Sequence, residues 1–194
     1  MTFYPSDAPV HEGLRTDEFM LRMLKATDVA LDYDAVIASR EQLLIRSGGD
    51  WPAEGFSLAE NLTDLQRHEQ EHRERKAFTY TVMNPTETEC LGCVYINPLA
   101  PLLDRLKAGD DALKTVQADA AYVSFWVRSS RLADDLDKRL LAALRAWFKA
   151  EWPFSRTVFY AGEQQTRFLQ IYQEAGMEAT FTLQGRIGTV YLYE

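Results

Sequence analysis

Over residues 134–151 the apolar positions Leu136, Leu140, Leu144, Trp147 and Phe148 recur at helical spacing, and Pro153 follows the end of the run. This is the clearest helix the pattern predicts. Helix is also expected over 28–44, with Asp28 as N-cap, and over 166–175, closed by Gly176. A capping box, Ser57-Leu-Ala-Glu60, opens a further helix in which Leu58, Leu62 and Leu65 share a face. Strands are read where apolar residues alternate or cluster. They are 18–24 (Phe19, Leu21 and Met23 on one face), 77–83 and 91–96 as a hairpin around 84–89, 121–127, 157–160, and the pair 178–183 and 189–193. Residues 47–52 read as a loop, and 98–119 as a polar connection with room for a short helix.

Residues 1–18 are expected to be a polar tail, with Pro5 and Pro9, and 19–194 a single domain. A composition of 46% hydrophobic and 26% charged residues is that of an ordinary globular protein. The net charge of -8 argues against nucleic acid or an anionic membrane as the main partner. No apolar run approaches the roughly 20 residues of a spanning helix, and the N-terminus carries no signal-peptide core. Two cysteines in 194 residues suggest a reducing compartment, so a cytoplasmic protein is expected.

Two local motifs raise metal chemistry. His68-Glu-Gln-Glu-His72 satisfies the zinc-protease pattern, yet 66–76 contains no apolar residue and reads as a solvated helix end. Cys90-Leu-Gly-Cys93 with the two histidines would complete a zinc set. Residues three apart in a strand point to opposite faces, so these thiols converge only if a turn lies between them. Leu91 and Val94-Tyr95-Ile96 argue for strand, and no metal is expected.

The stretch 123–141, Val-Ser-Phe-Trp-Val-Arg-Ser-Ser-Arg-Leu-Ala-Asp-Asp-Leu-Asp-Lys-Arg-Leu-Leu, resembles the strand, loop and helix with which the GNAT family of N-acyltransferases holds coenzyme A. In that family the strand runs into Gln/Arg-x-x-Gly-x-Gly/Ala and a helix opening with paired leucines. Aligning Leu140 and Leu141 with those leucines puts Leu132 at the Gln/Arg position and Asp135 and Asp137 at the two glycines. Leu91-Gly92 is similar to the family's Leu-Gly at its third strand. Gln165, Tyr172, Gly176 and Met177 stand where its fourth helix carries Asn, Tyr, Gly and Phe.

The resemblance, over roughly 19–193, implies an α/β (α+β) fold. Its mixed, mainly antiparallel central sheet would have about seven strands with helices on both faces. The sheet would part between the strand ending at Val127 and that at 157–160. It implies acetyl-coenzyme A as co-substrate, with the backbone of Trp126 and Val127 on the pantetheine. Arg128, Arg131, Leu132, Ala133, Asp135, Leu136, Asp137 and Gln165 would form the rest of the site. Tyr172 would be the general acid; a tyrosine packed on the sheet is the plain alternative. No general base stands out; Tyr80, Tyr95 and Ser124 are candidate water-holders.

Glycines let backbone N–H groups approach a pyrophosphate at a helix N-terminus. A carboxylate there repels it, by about 2–3 kcal/mol at ~6 Å and an effective dielectric near 20. Two readings stay open: an N-acetyltransferase acting on a small-molecule or peptide amine, with a homodimer as one possible assembly, and a GNAT-fold ligand-binding or interaction protein that has lost ordinary coenzyme A binding. Replacing both Asp135 and Asp137 by glycine is expected to tighten coenzyme A binding and to lower stability.

Overall fold

A computed structural model describes residues 3–109 and 116–194. Part of the polar connection 98–119 thus lies outside the described residues. Six α-helices and eight strands form among those described, where about seven strands were expected. The mixed, mainly antiparallel α/β class read from the sequence holds. The chain divides into two compact units.

One unit comprises Pro9–Tyr95 and Phe125–Leu141. It holds β1 (Gly13–Arg15), β2 (Met20–Met23), α1 (Val29–Ala38), α2 (Arg40–Ser47), α3 (Leu58–Arg73) and β3 (Phe78–Met83). It also takes most of β4 (Cys90–Pro98), the end of β5 (Ala121–Val127) and the start of α5 (Leu136–Glu151). Its strands follow the order β1-β2-β3-β4-β5. β2 is antiparallel to both β1 and β3, with Leu21 opposite Leu14 on one side and Val82 on the other. Its core gathers Leu24, Val36, Leu43, Leu65, Met83, Cys93 and Trp126.

Two local departures from the sequence reading have tertiary causes. The expected helix 28–44 is two helices broken at Ser39, which is buried and whose Oγ accepts the Ser129 N–H at 3.0 Å. Within the segment expected as tail, Gly13–Arg15 pairs with β2. The capping box forms as read, with Glu60 N–H on Ser57 Oγ and Ser57 N–H on Glu60 Oε2.

The other unit comprises Met1–Ala8, Ile96–Ser124 and Ala142–Glu194. Here α4 (Leu99–Arg105) fills the expected short helix, followed by the start of β5, the rest of α5, β6 (Thr157–Gly162), α6 (Thr166–Glu174), β7 (Ala179–Gly185) and β8 (Gly188–Tyr193). The strands follow the order β5-β6-β8-β7. β5 and β6 are parallel, and their register covers only Ala121 to Val123 against Thr157 to Phe159. The short pairing agrees with the expected parting of these strands. Leu99, Leu103, Ala120, Val158 and Leu192 form its core. Tyr4, Trp147, Phe148, Trp152 and Phe154 make a second, aromatic cluster. Among the described residues no helix is long and apolar enough to cross a membrane.

Candidate active site

The turn from β5 into α5 is fixed mainly by backbone bonds. Arg128 N–H donates to Leu91 O at 2.7 Å, and the Val127 carbonyl accepts from Gln42 Nε2. Ser129–Arg131 is a single 3-10 turn, closed by Arg131 N–H on Arg128 O at 2.8 Å. The chain then turns again, with Asp135 N–H on Leu132 O at 3.2 Å. The N–H groups of Lys138 and Arg139 both donate to Asp135 O. Asp135 therefore stands just before the first helical residue, Leu136, and its φ is 54°. Glycine enters this left-handed region freely, whereas other residues enter it at a cost, with Asp among the least penalised. The position is one where glycine suits the backbone.

Asp137, at the second glycine position, lies inside the first turn of α5 and is buried. Its Oδ1 accepts the Lys138 N–H at 3.0 Å. Ala133, Asp134 and Asp135 are exposed, while Leu136, Leu140 and Leu141 are buried.

The turn's four cations all have acidic partners. Arg128 meets Asp34 at 2.7 Å and Glu89 at 3.7 Å, and Arg131 meets Glu89 at 2.6 Å. Lys138 lies 3.5 Å from Asp135, and Arg139 pairs with Glu18. Beside them is a cavity of about 340 Å³ whose lining includes Asn84, Glu89, Leu91, Arg131, Asp134 and Arg139. One donor at its wall is left over: Arg131 Nε is buried and, among the described residues, has no hydrogen-bond partner. An orphaned donor of this kind costs about 1–3 kcal/mol, which an acceptor oxygen on a ligand would recover.

Trp126 is buried and donates from Nε1 to Tyr95 Oη at 3.2 Å. Tyr80 Oη donates to His11 O at 2.6 Å. Trp126, Val127, Arg128, Arg131, Leu132, Ala133, Asp135, Leu136 and Asp137 thus share one strand-turn-helix within a single unit.

Gln165 and Tyr172 belong to the other unit. Gln165 precedes α6, and its Oε1 accepts the Gly162 N–H at 2.8 Å, closing the turn out of β6. Tyr172 is fully buried, packs on Phe159 and Tyr193, and donates from Oη to Tyr160 O at 3.3 Å. That is long for an O–H···O bond and leaves the hydroxyl weakly engaged there. The partners that sequence reasoning missed, Ser39, Gln42, Asp34 and Glu89, reach the turn only through tertiary folding, and no local spacing marks them.

The metal motifs resolve differently from the sequence reading. His72 Nδ1 lies 3.2 Å from the Thr79 N–H and 3.1 Å from Thr79 O, and His68 Nδ1 lies 3.3 Å from Thr79 Oγ1. Both rings pack on aromatics, His68 on Tyr95 and His72 on Phe78 and Tyr80. Burial, together with the neighbouring Arg67 charge, pushes His68 down to about 4. The expectation that Cys90 and Cys93 face opposite sides is wrong. Gly92, between them, has φ 146°, and both thiols lie in the same buried core.

No family model matches the chain, and no curated protein matches it. Solved structures do. RimL, a ribosomal L7/L12 alpha-N-protein acetyltransferase, in complex with coenzyme A, superposes with a TM-score of 0.71 at 17% identity, over 94% of this chain and 96% of that one. The microcin C7 self-immunity acetyltransferase MccE, in complex with acetyl-CoA and AMP, gives 0.71 at 14% identity, over 95% and 96%. A ribosomal-protein-S5-alanine acetyltransferase from Vibrio fischeri gives 0.69 at 12%, over 93% and 94%. The chain has the fold of the GNAT acetyltransferases.

Proposed function

We propose that this GNAT-fold protein is an N-acetyltransferase that moves an acetyl group from acetyl-coenzyme A to an amine. The observation that carries the reading is the buried, unpartnered Arg131 Nε beside the β5–α5 turn. A donor held ready at the position where the fold family places a pyrophosphate suits an anionic ligand. The left-handed backbone at Asp135 adds support, because the turn keeps a path on which the family uses glycine.

Acetyl-coenzyme A supplies the acetyl group as a thioester, whose sulfur leaves as a thiolate. The chain's part is to bind and orient the two substrates and to move protons. Trp126 and Val127 supply backbone to the pantetheine, and Arg128 and Arg131 supply side-chain charge to the phosphates. Leu132, Ala133, Asp135, Leu136 and Asp137 shape the turn, and Gln165 holds the start of α6. Tyr172 holds the proton that returns to the departing sulfur. RimL and the Vibrio fischeri protein are named for ribosomal-protein acceptors, so a peptide amine is the acceptor to try first, in a cytoplasmic setting.

Calorimetry with acetyl-coenzyme A, followed by thiol release and acceptor mass with a panel of peptide amines, tests the reading. Saturable binding and amine-dependent thiol release are expected. Failure of acetyl-coenzyme A to bind at any concentration would overturn it and leave the fold serving another ligand.

A further inference from the structure

Three metal-ligating side chains converge inside the same unit as the turn. Cys90, Cys93 and Asp32 are all buried, and one ligand atom from each lies within 4.8 Å of the others. Cys93 Sγ donates to Asp32 Oδ1 at 3.4 Å, and Cys90 Sγ to Gly92 O at 3.6 Å. The geometry points to a site for one thiophilic divalent cation of the zinc class, ligated by Asp32, Cys90 and Cys93.

Three features support it. Tetrahedral zinc with sulfur at about 2.3 Å and oxygen at about 2.0–2.2 Å spaces its ligand atoms roughly 3.5–3.8 Å apart. The Cys93–Asp32 separation already fits, and the remaining gaps close with small side-chain movements. Asp32 is held from behind by Asn61 Nδ2, which donates to Oδ2 at 2.9 Å and leaves Oδ1 turned to the thiols. Such an outer partner orients a ligating carboxylate. Finally, a buried carboxyl beside two buried thiols is poor apolar core. A cation offsets these costs, each thiol releasing its proton to solvent as its metal–sulfur bond forms. His68 and His72 stay on Thr79 and take no part.

The experiment uses the full-length protein, reduced and stripped of metal, titrated with cobalt(II). The expected result is a thiolate-to-cobalt charge-transfer band saturating at one equivalent, lost on adding zinc, with proton release to the buffer. Cys90→Ser and Cys93→Ser should remove the band. Asp32→Asn, nearly isosteric, should keep it but weaken affinity at least about tenfold. If a serine variant does not fold, the wild type still decides: zinc should slow modification of both thiols by a disulfide reagent under native conditions. Absence of a charge-transfer band in the folded wild type, thiol reactivity indifferent to zinc, or a mass two hydrogens lighter marking a Cys90–Cys93 disulfide instead of bound metal would each overturn the proposal.

Discussion

A side chain at Gly92 would collide with Trp126: a Cβ built there lies 2.0 Å from the Trp126 carbonyl oxygen and 2.9 Å from its carbon. Both obstacles are backbone, which cannot swing aside, and the φ of 146° is itself unfavourable for any other residue. Gly92→Ala is expected to cost on the order of 3 kcal/mol. The urea midpoint measures it, and a midpoint equal to wild type would disprove the close approach.

Asp135 and Asp137 should respond to glycine in opposite ways, unlike the joint loss expected from the sequence. Asp135 precedes the helix with φ 54°, so Asp135→Gly relaxes the backbone and should raise stability by about 0.5 kcal/mol. Its 3.5 Å pairing with Lys138 is exposed and contributes little. Asp137 is buried within the first turn, so Asp137→Gly should lower stability by about 1 kcal/mol or more. Thermal melts of the two single variants separate them. Coenzyme A affinity should rise with Asp135→Gly; unchanged affinity would mean that this carboxylate does not oppose the phosphates.

Tyr172→Phe tests the proposed proton donor. Loss of the hydroxyl should lower kcat about a hundredfold while leaving KM for acetyl-coenzyme A near its original value. A variant with undiminished kcat would leave Tyr172 as a packing residue between Phe159 and Tyr193.

Acid should loosen the fold through the two histidines. His68 titrates at about 4 in the folded protein and near 6.5 once unfolded, so the unfolded chain takes up the proton first. Its contribution is complete above about pH 6.5 and is lost as pH falls towards 4, up to about 3 kcal/mol. Burial shifts His72 in the same direction. Urea midpoints across this range should fall with pH, and His68→Gln should flatten the slope; an equal slope would show that other groups carry it.

Much of the fold was legible because local chemistry and packing agreed. β5 runs over Ala121–Val127 as its apolar run indicates, α5 presents Leu140, Leu144 and Trp147 to the interior, and Ser57 caps α3 through its own Glu60. What was not legible depended on distant partners. The break at Ser39 follows from a bond to Ser129, 90 residues away. Cys90 and Cys93 meet on one side of a strand whose Gly92 has φ 146°, a backbone state that a plain alternation rule cannot register. At the candidate site the motif frame could be aligned, but the acids that hold Arg128 and Arg131, Asp34 and Glu89, come from other elements.

The placing of the tryptophans has a spectroscopic consequence. Of the four, Trp51 and Trp126 belong to one compact unit and Trp147 and Trp152 to the other. The second pair stands edge to face with centroids 5.2 Å apart, close enough for their excited states to couple and give a paired signal in near-ultraviolet circular dichroism. Trp126 bonds to Tyr95 and lies in the same core as the two thiols. Its emission reports on the surroundings of that core, while the coupled signal reports on the aromatic cluster around Tyr4. Near-ultraviolet circular dichroism of the unlabelled protein can therefore follow that aromatic cluster as it melts.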